Sequence, residues 1–142
     1  MKFSILLAIL AAPLLAQQDS RKILRAISQV ESGGDPLAVG DSGLAIGAWQ
    51  MHPEAWEDAN AFRKSQGLPR LARSRWREWG VQEQAALAFL CLIQARLAGA
   101  GVVNPTPSQI AVCWNLGFAG AKARGFRATP YSNRVAHLAK IL

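Results

Sequence analysis

The tightest constraint on the fold lies at Ser32-Gly33-Gly34-Asp35-Pro36, where a helix has to end. Upstream, Ile23, Ile27 and Val30 recur at helical spacing with Leu24 beside them, and Arg21, Lys22, Arg25 and Gln29 take the other face. That is the pattern of an amphipathic helix. Two glycines supply the positive φ of a C-terminal cap, and a proline cannot continue the hydrogen-bond ladder. Glu31 closes this helix. A carboxylate there sits at the negative end of the helix dipole, which disfavours its ionised form, and apolar cover would disfavour it further. An acid still protonated near neutral pH is what cleavage of a glycosidic bond needs. The plainer reading of the same residues is a first helix that happens to end in Glu.

At 142 residues and 51% hydrophobic content, the chain fits one globular domain that can bury a core without disulfides or metals. It opens with Met1-Lys2 and then FSILLAILAAPLLA: a positive residue, a short apolar stretch and a small residue at Ala16. This reads as a secretory signal peptide over residues 1–16, leaving a mature domain over 17–142. Pro13 breaks the apolar stretch too soon for a membrane span, and no cysteine follows to accept a lipid. The expectation is an exported chain, periplasmic or extracellular, with no stable membrane insertion after signal removal.

Sixteen Lys and Arg against nine Asp and Glu give a net charge of +7, which favours a polyanionic partner. The basic residues are dispersed rather than interleaved with aromatics, so the footprint of a nucleic-acid binder is missing and the cell wall becomes the expected polyanion. Cys91 and Cys113 are the only thiols; they allow one bridge or two buried free cysteines. No CxxC or Cys/His cluster suggests a metal, and no cofactor is expected.

Gly40-Asp41-Ser42-Gly43, flanked by Leu37-Ala38-Val39 and Leu44-Ala45-Ile46, predicts a short hairpin or Ω-like loop. His52-Pro53 opens a helix to about Ser65, with Glu54, Glu57 and Asp58 near its positive end. Gln66 to Arg77, carrying Arg70, Arg73, Arg75 and Arg77, reads as a connector, either solvated or a basic rim for an anionic glycan. Val81 to Ala98 contains AALAFLCLI, apolar all round, which marks a core helix surrounded by protein. Thr106-Pro107 cap and start the next helix, with Ile110, Ala111 and Trp114 inward. Asn115 to Gly120 should break it before a basic loop with Lys122, Arg124 and Arg127, and Thr129-Pro130 begins a final amphipathic helix. The expected fold is mainly α, a single compact helical domain with the hairpin or loop forming one side of a cleft.

Glu31-Ser32-Gly33-Gly34, then Gly47-Ala48-Trp49-Gln50-Met51 and His52-Pro53, resembles the soluble lytic transglycosylase and goose-type lysozyme superfamily. Cys113-Trp114-Asn115-Leu116-Gly117 stands in place of that family's A-Y-N-A-G segment, and Tyr131-Ser132-Asn133-Arg134-Val135 in place of its Y-x-x-R-V. With the apolar helix 81–98, the resemblance covers essentially the whole mature chain. It implies an α+β lysozyme-like fold and a monomer that cleaves the β-1,4 bond between N-acetylmuramic acid and N-acetylglucosamine in peptidoglycan. Glu31 would protonate the leaving oxygen and then, as a carboxylate, deprotonate the muramyl 6-hydroxyl. The substrate's acetamido group would assist, so no protein nucleophile is needed. Gln50 and Asn115 match family positions that hydrogen-bond in the cleft, and both also suit a structural role tying loop to core.

The chain departs from the family pattern in places that matter. One extra residue between Val39 and Gln50 leaves the family's small hydroxyl residue near the acetamido group on either Asp41 or Ser42. Trp114 replaces the tyrosine of A-Y-N-A-G, and Ala48-Trp49 replaces the usual hydrophobic pair. Asp41 also resembles the acidic residue that invertebrate-type lysozymes use, so hydrolysis stays open beside transglycosylation. Turn chemistry alone equally accounts for Asp in GDSG. Trp49 is the candidate for stacking on a sugar ring, and Trp56 belongs to the core. His52 and His137 read as structural or solvent-facing.

Overall fold

The computed structural model describes residues 14–142, so the expected signal peptide over 1–16 lies almost wholly outside the described residues. Among them are six α-helices and one two-stranded sheet: α1 (Leu14–Ser32), β1 (Val39–Gly40), β2 (Ala45–Ile46), α2 (Pro53–Ser65), α3 (Trp79–Gly99), α4 (Pro107–Leu116), α5 (Phe118–Ala123) and α6 (Pro130–Ile141). Short 3-10 turns occupy Asp41–Gly43 and Arg73–Arg75. The domain is mainly helical, as its periodicity predicts, and the expected hairpin is β1 paired antiparallel with β2.

Local chemistry accounts for the helix ends. Thr106 and Thr129 each accept a hydrogen bond from the backbone three residues on, while the side-chain oxygens of Gln109 and Ser132 accept the cap residue's own N–H, completing a capping box at α4 and α6. A proline fills the first turn of α2, α4 and α6, where its missing N–H costs nothing. At the end of α1, Gly33 (φ 67°) and Gly34 (φ 79°) turn the chain left-handed, and the Gly34 N–H donates back to the Ser28 carbonyl at 3.0 Å. Glu31 therefore sits in the last turn of α1.

Helix α1 packs along α6, α2 along α3, and α4 against both α5 and α6, with α3 bridging α1, α2 and α4. Ile27, Leu90, Ile93, Leu97, Ile110, Val112 and Val135 lie fully buried where these helices meet. The connector after α2 is anchored rather than free. Trp56 Nε1 and Asn60 Nδ2 donate to the Leu71 carbonyl, Asn60 accepts from the Leu71 N–H, and buried Arg63 donates to Pro69. Arg70 and Arg75 are engaged with Glu57 and Glu78, and Arg73 donates to the Leu44 carbonyl at 2.6 Å. These arginines hold the connector and the hairpin, rather than forming a free basic rim.

Two expectations need correction, and one open alternative is decided. Helix α3 is not surrounded by protein, since Trp79 is 48% exposed and Leu87 43%. With Glu83, Cys91 and Gln94 they form one wall of a groove of about 950 Å³, whose other wall is the α1 face of Arg21, Leu24, Arg25 and Ser28. An all-apolar helix does not reveal which side its neighbours leave open. The break after α4 is a single residue, Gly117 (φ 76°, ψ 157°), after which α5 continues where a basic loop was expected. The two thiols are free: Cys91 faces the groove, half-buried, while Cys113 is buried in α4. Burial pushes both thiols up, Cys113 to about 11.

Candidate active site

A cleft of about 670 Å³ opens at the C-terminal end of α1. Glu31 lies on one wall, and Asp41, Ala45, Gln50 and Met51 from the hairpin and its following loop form another. His52 and Glu54 come from the start of α2, and Trp114, Asn115 and Gly117 from the end of α4. Phe89 and Trp114 meet edge to face, centroids 4.9 Å apart, and put apolar surface into the cleft. Burial holds the Glu31 carboxyl above the ordinary range, the direction expected from its place on α1. Tyr131 OH donates to Glu31 Oε1 at 2.7 Å and works against that shift; the Asp41 charge adds to it, and His52 subtracts. The net direction is upward, and burial is the largest cause.

The wall opposite Glu31 is built from strained backbone held by buried amides. Asp41 (φ 49°), Ser42 (φ 55°) and Gln50 (φ 49°) are all left-handed without being glycine, a conformation that costs on the order of 1 kcal/mol or more per residue and persists only where the surroundings enforce it. Gln50 Nε2 donates to the carbonyls of Gly47 (3.0 Å) and Ala38 (3.2 Å). Its Oε1 lies so close to Gly40 that a Cβ there would come within 2.4 Å, so any side chain at this position would push the Gln50 amide aside. Gln82, 2% exposed on α3, accepts the Ala48 N–H at 2.9 Å and donates to the carbonyls of Pro36 and Trp76. Ser32 Oγ donates to the Ala48 carbonyl at 2.7 Å and accepts the Asp35 N–H. The end of α1, the loop and α3 are thus one polar framework around the cleft.

Of the residues singled out from the sequence, Glu31, Asp41, Gln50, Trp114 and Asn115 converge on this cleft. Gln50 lines it while its amide nitrogen is spent on the loop, so the structural role is the one seen. Asp41 serves both as a turn residue and as a cleft carboxylate, whereas Ser42 stands outside the lining. Trp49 is a correction. It is 4% exposed, its Nε1 donates to the Leu24 carbonyl at 2.8 Å, and its ring lies 5.2 Å from Trp79. It faces the α1/α3 groove, away from Glu31, and cannot stack on a sugar beside the acid. Trp56, 1% exposed, is core as expected.

His52 is partly exposed and engaged, in keeping with the structural or solvent-facing reading. Its Nε2 lies 2.7 Å from Asp41 Oδ2, and both side chains line the cleft. Tyr131 was missed as a site residue; its only signal was its place in the segment 131–135. Among the described residues, no three His, Cys, Asp or Glu side chains gather as a metal site requires. Comparison with family models, curated proteins and solved structures finds no match to the chain.

Proposed function

We propose that the chain is a peptidoglycan-cleaving glycosidase of the lysozyme-like superfamily, a lytic transglycosylase with Glu31 as its acid and base. One observation carries the reading: the Glu31 carboxyl at the end of α1 inside a cleft, its proton affinity raised by burial and its Oε1 accepting from Tyr131 OH. Such a group can give a proton to the leaving glycosidic oxygen and, once ionised, take one from the muramyl 6-hydroxyl. Tyr131 holds one carboxyl oxygen in place, and Phe89 and Trp114 add apolar surface to the same cleft. Export, a glycan-strand substrate and action as a monomer belong to the same proposal. Hydrolysis is a second reading, supported by the Asp41 carboxylate in the same cleft. A wall-binding module without turnover is the rival from outside enzymology.

The test is incubation of the purified protein with purified peptidoglycan and mass analysis of what dissolves. Transglycosylation yields muropeptides ending in a 1,6-anhydro ring, one water lighter than the reducing products of hydrolysis; a binding module releases none. Glu31→Gln keeps the shape and the bond from Tyr131 but has no transferable proton. Its turnover should fall by about 10² to 10⁴-fold, the usual worth of a general acid–base group. Retention of turnover within a few-fold would remove Glu31 from the chemistry.

A further inference from the structure

We infer that the groove between α1 and α3 is a second binding site for a peptidoglycan strand, one that holds wall not being cut while the cleft at Glu31 does the cutting. For its choice of strand the inference rests on the glycosidase reading of the cleft. The two sites are separate: the groove, of about 950 Å³, and the cleft, of about 670 Å³, share no lining residue. Gln29 lines the groove and Glu31 the cleft, both on α1. Two residues apart on a helix of about 3.6 residues per turn, they point to opposite sides of it.

Trp79, in the first turn of α3, is 48% exposed, yet its ring lies 5.2 Å from that of buried Trp49, which backs it. An exposed indole supported from behind offers a flat apolar face, and the C–H groups of a sugar ring present the matching surface. The α3 wall runs from Trp79 to Gln94, fifteen residues at about 1.5 Å each or about 22 Å, room for several sugar rings in a row. Polar side chains recur along both walls: Arg21, Arg25 and Gln29 at every fourth residue of α1, Glu83 and Gln94 on α3. They suit the hydroxyl and acetamido groups around a sugar ring. A groove built for an amphipathic helix needs a continuous aliphatic stripe, whereas Leu24 and Leu87 are the only aliphatic side chains lining this one. Charge then selects among glycans. Guanidinium groups stay protonated, and neither Arg21 nor Arg25 has an acid within ion-pair distance among the described residues. A peptidoglycan strand brings carboxylates on its peptide stems to meet them, and an uncharged glycan brings none.

A second hold on an insoluble polymer raises the local concentration of strand at the cleft, so the site shows itself as a split between substrates. Trp79→Leu keeps the first turn of α3 apolar and should lower kcat/KM on insoluble peptidoglycan about ten-fold, the worth of burying part of one aromatic ring. Turnover of a tetrasaccharide strand fragment, which fills only the cleft, should not change. Trp79→Tyr keeps a ring and should recover most of the loss. Arg21→Gln combined with Arg25→Gln disturbs no packed ring and should weaken binding to insoluble peptidoglycan a few-fold, with a shallower salt dependence. Binding is read directly by NMR in the Glu31→Gln background, where two indoles report separately: Trp114 lines the cleft and Trp79 the groove. Chitohexaose should move both indole N–H resonances, each identified by its loss on substitution.

A response at Trp114 with none at Trp79, and a Trp79→Leu variant that cuts insoluble peptidoglycan like the parent, would overturn the second site and leave the glycosidase reading standing. A protein that sediments as a dimer, and as a monomer once Trp79→Leu is made, would assign the groove to a second copy of the chain and overturn the inference equally. Failure of the parent to release any muropeptide would overturn the glycosidase reading, and the Trp79 resonance would then decide by itself whether the groove takes a glycan.

Discussion

Replacing Gln82 by leucine removes one buried amide and three hydrogen bonds while keeping nearly the same volume. The Ala48 N–H and the Trp76 carbonyl both lie in buried surroundings, whereas the Pro36 carbonyl belongs to an exposed residue and can turn to water. Two orphaned buried groups at about 1–2 kcal/mol each cost about 3 kcal/mol. Loss of the amide's own desolvation penalty returns about 1 kcal/mol, leaving a net destabilisation of about 2 kcal/mol. For a domain of this size that lowers Tm by roughly 6–8 °C. Urea unfolding followed by tryptophan fluorescence should show the midpoint moving with the slope unchanged. The control is Gln84→Leu, whose amide reaches only the exposed Gly80 carbonyl and should stay within about 0.5 kcal/mol of the parent. A Gln82→Leu protein as stable as that control would refute the idea that this amide holds the cleft wall.

Two further outcomes follow from the surroundings of Glu31. Tyr131→Phe removes the bond that favours the ionised form, so the limb of the kcat/KM profile set by Glu31 should move to higher pH, with kcat falling about ten-fold for one lost positioning bond; an unmoved limb would place Tyr131 outside the acid's control. Because the folded-state pKa of Glu31 is raised, the native protein binds that proton more tightly than the unfolded chain, and stability is lost as pH rises from the unfolded value through the folded one. Glu31→Gln should therefore match the parent near pH 4 and exceed it at pH 7, by less than about 1 kcal/mol because solvent screens a partly exposed carboxyl. Urea midpoints at the two pH values check this, and a variant less stable than the parent at pH 7 would contradict it.

Much of the architecture was legible because it is local. The stop at Gly33-Gly34, the prolines opening α2, α4 and α6, and the threonine caps act over three or four residues, so the helices could be read one by one. Glu31 was legible for the same reason, as the last helical side chain before a stop.

What the residues alone could not decide is which way a side chain points and what meets it. Tyr131 reaches Glu31 across a separation of 100 residues, and only the packing of α6 on α1 brings the two together. Trp49 and Gln50 are neighbours in the chain, yet the left-handed backbone at Gln50 sends one to the α1/α3 groove and the other to the cleft. The partner of His52 is Asp41, eleven residues away in the hairpin turn, and only the folded loop brings the two side chains together. Nothing in the sequence singles out Gln82, because the loop carbonyls and the Ala48 N–H reach it only when the loop folds onto α3. Capping and periodicity are properties of a few consecutive residues and survive in the sequence. Burial, ion pairing and the proton affinity of Glu31 depend on distances between segments, and those exist only once the helices have packed.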